Sequence, residues 1–181
     1  MKLVVAMTGA SGAIYAQRLL DNLAGHETHF ITTKHANEVA ALELPGGLKV
    51  PAHVKRYEEH GSMFVPFVSG SAKFDAMVII PASMGTIGRI ANGVSDSTIA
   101  RAADVFLKER RKLIFVPRES PYNLIHVRNM ATLIEAGAII IPASPPFYNQ
   151  PQTITDLVDA IVARVLDHLG IEHNLVKRWQ S

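Results

Sequence analysis

The sequence predicts an α/β fold in which one doubly wound parallel sheet lies between two layers of helices. Two observations support this prediction. Strand-length runs that are apolar throughout alternate with segments of helical periodicity, a pattern typical of parallel strands that are buried on both faces and joined by helical crossovers. The chain has 181 residues, of which 48% are hydrophobic and 19% charged. These values fit a single domain that spans residues 1–181.

The predicted elements follow in order along the chain. Short apolar or β-branched runs predict strands at Leu3–Met7, Thr28–Thr33, Ala76–Pro81, Leu113–Pro117 and Ala138–Pro142. Apolar residues at helical spacing predict helices at Ala13–Leu23, Lys34–Glu43, Met84–Ala91, Ser97–Arg111, Tyr122–Glu135 and Thr155–Leu169. Residues 46–74 mix proline, glycine, serine and charge, so a loop with a short helix or strand is expected there. Residues 170–181 are predicted to form a tail whose Trp179 packs on its own domain or a neighbouring subunit.

Composition excludes several classes of protein. Lys and Arg total 18 and Asp and Glu total 16, so the net charge of +2 is too small to favour nucleic acid. Cysteine is absent, which excludes disulfides, zinc–cysteine sites, iron–sulfur clusters and thiol catalysis. The histidines show no spacing typical of metal ligands, so no metal is expected. No apolar stretch reaches the length of a membrane span or a signal peptide, and a cytoplasmic protein is predicted.

The segment after the first predicted strand is the first candidate for ligand binding, because ligands of doubly wound folds lie beyond the carboxyl ends of the strands. It reads Thr8-Gly9-Ala10-Ser11-Gly12. Two glycines allow a tight turn, and the following helix offers free N–H groups and a positive dipole end that suit a phosphate. The segment matches neither the dinucleotide fingerprint nor a P-loop. An ordinary strand-to-helix turn capped by Ser11 is equally compatible with it.

The ends of the later strands offer further candidates. The third strand runs into Ser83-Met84-Gly85-Thr86, where hydroxyl groups and a glycine again open a helix. Together the two turns predict a cradle for a phosphate and one for a polar ring edge. The fourth strand ends at Arg118 and Glu119, which form either an exposed ion pair or a phosphate ligand and a proton-transfer group.

The last strand and the last helix carry two more candidates. Phe147 and Tyr148 stand in a proline-rich loop, where they either wall an apolar pocket or pack in the core. Arg164 is a charge on an otherwise apolar helical stripe, so a buried partner such as an anion is expected for it.

The chain resembles the UbiX-type flavin prenyltransferases of the flavoprotein superfamily over essentially its whole length. The resemblance rests on Met7–Gly12, Ser83–Thr86, the run R-A-A-D-V-F-L-K-E-R-R at 101–111, Pro117–Glu119 and residues 142–151. It implies a Rossmann-like flavoprotein fold and a metal-independent transferase. Such an enzyme joins the dimethylallyl group of dimethylallyl phosphate to N5 and C6 of reduced FMN. It also implies a homo-oligomer, often a dodecamer, whose product, prenylated FMN, serves a UbiD-type decarboxylase.

The resemblance further implies roles for individual residues. FMN contacts are implied for Gly9, Ala10, Ser11, Thr33, Ser83, Met84, Gly85, Thr86 and Arg118. Contacts with the prenyl phosphate are implied for Arg101, Lys108, Arg118, Tyr148 and Arg164. The implied catalytic residues are Ser11, Glu43, Lys108 and Glu119, with Glu119 the candidate for proton handling at ring closure. Cations around the leaving phosphate would stabilise its developing charge in place of a divalent metal ion.

Two other functions stay open at this point. One is an FMN-dependent cysteine decarboxylase of the same superfamily. The P-x-M-N-x-x-M-W motif of those enzymes is absent, although His35 lies in an early helix. The other is an FMN-binding delivery subunit that only hands flavin to a decarboxylase. Lys108, Glu119 and Arg164 argue against it, because binding alone needs no site for a prenyl phosphate.

Overall fold

The computed structural model describes residues 1–59 and 63–177, and these form a six-stranded, all-parallel sheet with the order β3-β2-β1-β4-β5-β6. The strands are β1 (Lys2–Met7), β2 (Glu27–Thr32), β3 (Lys55–Glu58), β4 (Ala76–Ala82), β5 (Lys112–Pro117) and β6 (Ile139–Ile140). The helices are α1 (Ala13–Asp21), α2 (Lys34–Glu43), α3 (Met84–Ala91), α4 (Thr98–Lys108), α5 (Leu124–Glu135) and α6 (Ile154–Leu169). The predicted doubly wound α/β fold is confirmed.

The sheet is buried on both faces, as the uniformly apolar strands predict. Along β1, Leu3, Val5 and Met7 pack into one cluster with α1, α2 and α6, while Val4 and Ala6 pack into a second cluster with α3 and α4. The strand order reverses between β1 and β4. Loops after these two strands therefore diverge to opposite faces of the sheet, and the crevice between them is where this fold binds ligands.

Residues 46–74 contain both a strand and a short helix, where the sequence predicts one or the other within a loop. The strand β3 reads KRYE and lies at the edge of the sheet, with mostly exposed side chains. Edge strands need no continuous apolar run, so the criterion that finds buried strands misses this one. A single 3-10 turn follows at Pro66–Val68 and buries Phe67. The structure thereby places Glu59, just after β3, beside the other strand ends.

Several element ends differ from the sequence prediction by a few residues. Helix α5 begins two residues later than predicted, because Asn123 caps it by accepting the N–H of His126. Helix α4 ends at Lys108, and Arg110 beyond it adopts a positive φ of 52°. Strand β6 is shorter than the predicted Ala138–Pro142. Trp179 of the predicted tail lies outside the described residues. In the ranges given above, no helix is long and apolar enough to cross a membrane.

Candidate active site

A cavity of about 490 Å³ opens beside the carboxyl ends of β1, β2 and β4. Four of the residues implied to contact FMN line it: Gly9, Thr33, Ser83 and Thr86. Helices α2, α3 and α4 all begin at this cavity, and each starts with a hydroxyl side chain that accepts an N–H of its own first turn. Three helix N-termini with their positive dipole ends thus face one space, which favours an anionic ligand.

A buried hydroxyl that the sequence analysis did not single out fixes one wall of the cavity. Thr8 is 1% exposed, and its Oγ1 donates to the carbonyl of Pro81 (3.0 Å) and accepts the N–H of Ser83 (2.8 Å). Ser83 in turn caps α3 and its hydroxyl lies 3.0 Å from that of Thr86. Thr8 therefore locks the loops after β1 and β4 together across the switch point.

Glu43 occupies the start of α1, where the sequence analysis expects a phosphate cradle. Its carboxylate accepts the N–H groups of Gly12 (2.8 Å) and Ala13 (2.7 Å). Burial, the largest single influence, raises the pKa of Glu43, but hydrogen bonds from Ser11, Ala13 and Gly12 and the charge of Arg118 lower it overall. The expectation of a free phosphate cradle at the start of α1 is therefore wrong, because the chain's own Glu43 carboxylate already accepts these N–H groups. Ser11, in the loop before the helix, lies next to this ionised carboxylate.

Arg118 and Glu119 lie at the tip of β5. The Arg118 Nε donates to the carbonyl of Ser11 (3.3 Å), which joins this tip to the loop after β1. The carboxylate of Glu119 accepts the N–H of Ser120 (3.0 Å) and is exposed. The predicted cation and carboxylate thus stand at the ligand-binding edge, next to the loop that carries Ser11.

Tyr148 and Arg164 line a different cavity, of about 560 Å³, which we call the β6-side groove. It lies between the loop that follows β6 and helix α6. The buried partner expected for Arg164 is not found: its side chain is 62% exposed and pairs with Asp167 at 3.1 Å. The rest of α6 from Val158 to Leu166 is buried, so Arg164 is the one position of that stretch that points out of the core.

Arg101 and Lys108 lie on α4, which runs away from the flavin-sized cavity. Lys108 pairs with Glu109 (2.5 Å) at the end of the helix. Beside it, Arg111 donates to the carbonyl of Gly70 (2.6 Å), in the segment that enters β4 from the amino edge of the sheet. Arg101 pairs with the aspartate one turn on (3.0 Å). One copy of the chain therefore keeps Lys108 at the edge opposite to Arg118 and Glu119.

Sequence reasoning missed part of the cavity wall. Lys34, Glu59, Arg89, Asp96 and Ser97 also line it. Lys34 and Ser97 directly neighbour predicted strand or helix ends, so the rule that pointed to Thr33 and Ser83 could have found them. Arg89 lies late in α3, and only the path of its side chain brings it to the cavity.

The first cavity fits FMN. Its volume lies within the range of small-molecule sites, roughly 300–1,000 Å³, and it offers capping hydroxyls and helix N-termini for a phosphate. Gly9 is needed for its shape, because a Cβ there would lie 2.9 Å from the Cβ of His35. In the ranges that the structure describes, no cluster of three or more His, Cys, Asp or Glu side chains is arranged to hold a metal ion.

The fold and this cavity define a flavin-binding protein of the doubly wound class, and a family model described as Flavoprotein matches residues 1–166. Among curated proteins, the flavin prenyltransferase UbiX of Methanocaldococcus jannaschii is 47% identical over 181 residues, covering 99% of this chain and 98% of the relative. The chain therefore belongs to the UbiX family of flavin prenyltransferases, within the flavoproteins.

Solved structures agree with this assignment. A dodecameric FMN-dependent UbiX-like decarboxylase from Escherichia coli O157:H7 has a TM-score of 0.93 and 41% identity, with complete coverage of both chains. AnUbiX (PadA1), in complex with FMN and dimethylallyl pyrophosphate, has a TM-score of 0.92 and 38% identity, covering 99% of this chain and 97% of that one. The peptidyl-cysteine decarboxylase EpiD is 18% identical with a TM-score of 0.63, a likeness of fold alone.

Proposed function

We propose that this chain is a flavin prenyltransferase that joins the dimethylallyl group of dimethylallyl phosphate to N5 and C6 of reduced FMN. The observation that carries the proposal is the cavity at the switch point, where Gly9, Thr33, Ser83 and Thr86 meet three helix N-termini. Family membership supports it, as does the relative that binds both FMN and dimethylallyl pyrophosphate. Residues 1–181 would act as one flavin-binding domain.

The chain's own residues supply binding and electrostatics for this reaction. Reduced FMN provides the nucleophilic positions when bound, and the bond between the allylic carbon and the phosphate oxygen breaks. Gly9, Ala10, Ser11 and the turn Ser83–Thr86 hold the flavin. Met84 as a whole is 8% exposed and Gly85 has no side chain, so these two residues contribute through their backbone groups. Thr33 and Arg118 complete that set.

The prenyl phosphate needs cations, because negative charge develops on it as it leaves. Arg101, Lys108, Arg118, Tyr148 and Arg164 are proposed to bind it. Guanidinium groups suit this task since they bind phosphate through two parallel hydrogen bonds. Glu119 is proposed to handle the proton released at ring closure.

Ser11 and Glu43 form the second part of the proposed acid–base machinery. The Ser11 side chain is hydrogen-bonded to Glu43. Burial is the largest influence on the pKa of Glu43 and raises it, but the hydrogen bonds from Ser11, Ala13 and Gly12 and the charge of Arg118 together bring it below its ordinary value. Glu43 is therefore ionised at neutral pH and holds the Ser11 hydroxyl in a fixed direction at the flavin edge.

A homo-oligomer is proposed because one copy does not bring the phosphate ligands together. Arg118 stands at the carboxyl edge, Arg164 in the β6-side groove and Lys108 at the amino edge. Large apolar side chains are exposed on the single copy, among them Leu124, Ile125, Phe147 and Ile154. The UbiX-like relative from Escherichia coli is a dodecamer, and an assembly of that kind would let neighbouring copies complete each site. We propose a cytoplasmic enzyme whose product passes to a UbiD-type decarboxylase.

The direct test is anaerobic incubation of the full chain with reduced FMN and dimethylallyl phosphate, followed by mass detection of the flavin. The expected product is heavier than FMN by one isoprene unit. Glu119→Gln serves as the comparison, with FMN still bound and product formation slowed. Unaltered FMN with the original chain would reject the activity and leave a delivery subunit. Oxidative decarboxylation of a peptide ending in cysteine would instead indicate the cysteine decarboxylase.

A further inference from the structure

Arg89 is a cation in the flavin cavity to which none of the motifs assigns a role. It lies in the last turn of α3, yet its guanidinium reaches back over the first turn. A Cβ built at Gly85 would lie 3.6 Å from the Arg89 Nη1. Helix side chains lean toward the N-terminus, so residues four apart meet on one face. The guanidinium therefore sits where Ser83 and Thr86 turn their hydroxyls to the cavity.

The partner of Arg89 holds it only weakly. Its Nε lies 3.4 Å from Oδ2 of Asp96, and the two side chains are 53% and 55% exposed. Ion pairs of this kind contribute little, because water solvates both charges and the contact is longer than a good charge-assisted hydrogen bond. Asp96 also lines the cavity, directly before the residue that caps α4. Arg89 can therefore leave Asp96 for a stronger anion at the same place.

The other cation of the cavity wall is less well placed. The side chain of Lys34 is 85% exposed, and its Nζ lies 3.9 Å from Oε1 of Glu38, one turn further along α2. The start of α3, in contrast, combines the Arg89 guanidinium, the helix dipole and the hydroxyl pair of Ser83 and Thr86. A phosphate monoester carries nearly two negative charges at neutral pH, and an arginine fork binds it through two hydrogen bonds.

We propose that Arg89 binds the terminal phosphate of FMN, exchanging Asp96 for it, and that this contact makes the cavity select FMN over riboflavin. The inference rests on the FMN binding described under the proposed function. It concerns the recognition of the flavin and not the transfer step. Asp96 then has a role as well. It holds Arg89 over α3 until the phosphate binds, and it competes with the phosphate for the Arg89 guanidinium.

The experiment titrates the full-length chain with oxidised FMN and with riboflavin, in the absence of dimethylallyl phosphate, and follows flavin fluorescence. Arg89→Met keeps the length and helix propensity of the side chain. We expect the Kd for FMN to rise roughly ten- to a hundredfold, as for a lost hydrogen-bonded charge contact, while the Kd for riboflavin stays unchanged. Arg56→Met is the matched control, since Arg56 is a 46% exposed arginine 3.9 Å from Glu58 and does not line the cavity.

A second variant tests the exchange without removing the cation. Asp96→Asn frees Arg89 from its competitor, so FMN should bind more tightly and riboflavin with unchanged affinity. Equal losses for both flavins in Arg89→Met, or no loss of FMN affinity, would overturn the proposal. So would an FMN affinity in Asp96→Asn that is unchanged or weaker. Flavin binding without prenyl transfer in the mass assay would remove the proposed function and leave this inference standing.

Discussion

The flavin cavity and the β6-side groove are built in different ways. Capping hydroxyls and helix N-termini line the flavin cavity together with charged side chains such as Arg89 and Asp96, and the fully buried Thr8 ties two of its loops together. In the groove, the two lining residues proposed to bind the prenyl phosphate are largely exposed, Tyr148 at 65% and Arg164 at 62%. The flavin cavity is thus preorganised within one chain. Among the cations proposed for the prenyl phosphate, Arg101, Lys108 and Arg164 pair with nearby carboxylates, and Arg118 donates to the carbonyl of Ser11. These groups lie in separate places, so a single copy carries an assembled site for one substrate and the parts of a site for the other.

The largest expected effect comes from a substitution in the β6-side groove that should impair use of the prenyl phosphate and leave FMN binding unchanged. Arg164→Ala removes a cation proposed to bind the leaving phosphate, so kcat/KM for dimethylallyl phosphate should fall roughly ten- to a hundredfold. Steady-state prenylation assays measure this, and a flavin titration of the same variant should give the FMN affinity of the unmodified chain. Equal losses in both measurements would instead assign Arg164 a structural role.

A smaller effect is expected from a substitution in the wall of the flavin cavity, which should weaken FMN binding and leave the β6-side groove unchanged. Thr8→Val keeps the shape of the side chain but leaves the partly buried N–H of Ser83 without its acceptor, which costs about 1–3 kcal/mol of unfolding free energy. The displaced Ser83 should weaken FMN binding on the order of tenfold. Thr8→Ser keeps the hydroxyl and should restore most of the affinity. If both variants bind FMN equally well, Thr8 does not position the cavity wall.

The smallest effect concerns Glu43, which stabilises the start of α1. The pKa of Glu43 is lowered from its ordinary 4.5 in the folded chain: burial raises it, but the hydrogen bonds from Ser11, Ala13 and Gly12 outweigh that effect. A lowered carboxyl pKa adds stability above the unfolded value, and this stability is lost as the pH falls through the folded one. A carboxylate at a helix N-terminus contributes about 0.3–1 kcal/mol.

Denaturant unfolding between about pH 6 and about pH 3 measures this contribution. The unmodified chain should lose more unfolding free energy over that interval than Glu43→Gln does. Glu135→Gln, at the exposed end of α5, is the control and should follow the unmodified chain. Parallel curves for all three proteins would show that Glu43 does not stabilise the helix.

The sequence was sufficient for the parts of the molecule that follow from local pattern. Apolar runs located the buried strands, and α2 and α3 have the predicted bounds because Thr33 and Ser83 cap them. The edge strand β3 was not predicted, because a strand with an exposed face and an open edge needs no continuous run of apolar residues. The presence of Arg89 in the cavity was not predicted, because it depends on the direction in which the long side chain runs from the far end of α3.

The separation of the phosphate ligands shows a different limit. The resemblance assigned Lys108, Arg118 and Arg164 to one site, since it implies a contact with the prenyl phosphate for each of them. Chain direction places them apart, since a crossover helix that begins at a strand tip ends at the opposite edge of the sheet. That much could have been derived from the predicted element order. Which surfaces of two copies meet depends on side chains from several elements, which no local pattern encodes.

Helix α4 joins the flavin cavity to the amino edge of the sheet, and its length constrains change in this protein. Its first turn borders the flavin cavity and its last residue is Lys108, about 15 Å away along the helix axis. In an assembly of the kind proposed, this helix works as a rod of fixed length and pitch between one copy's flavin and a neighbour's substrate. One inserted residue would swing Lys108 by about 100° around the rod. Substitutions among the apolar residues of α4 should therefore be tolerated better than insertions or deletions that change the length of the helix.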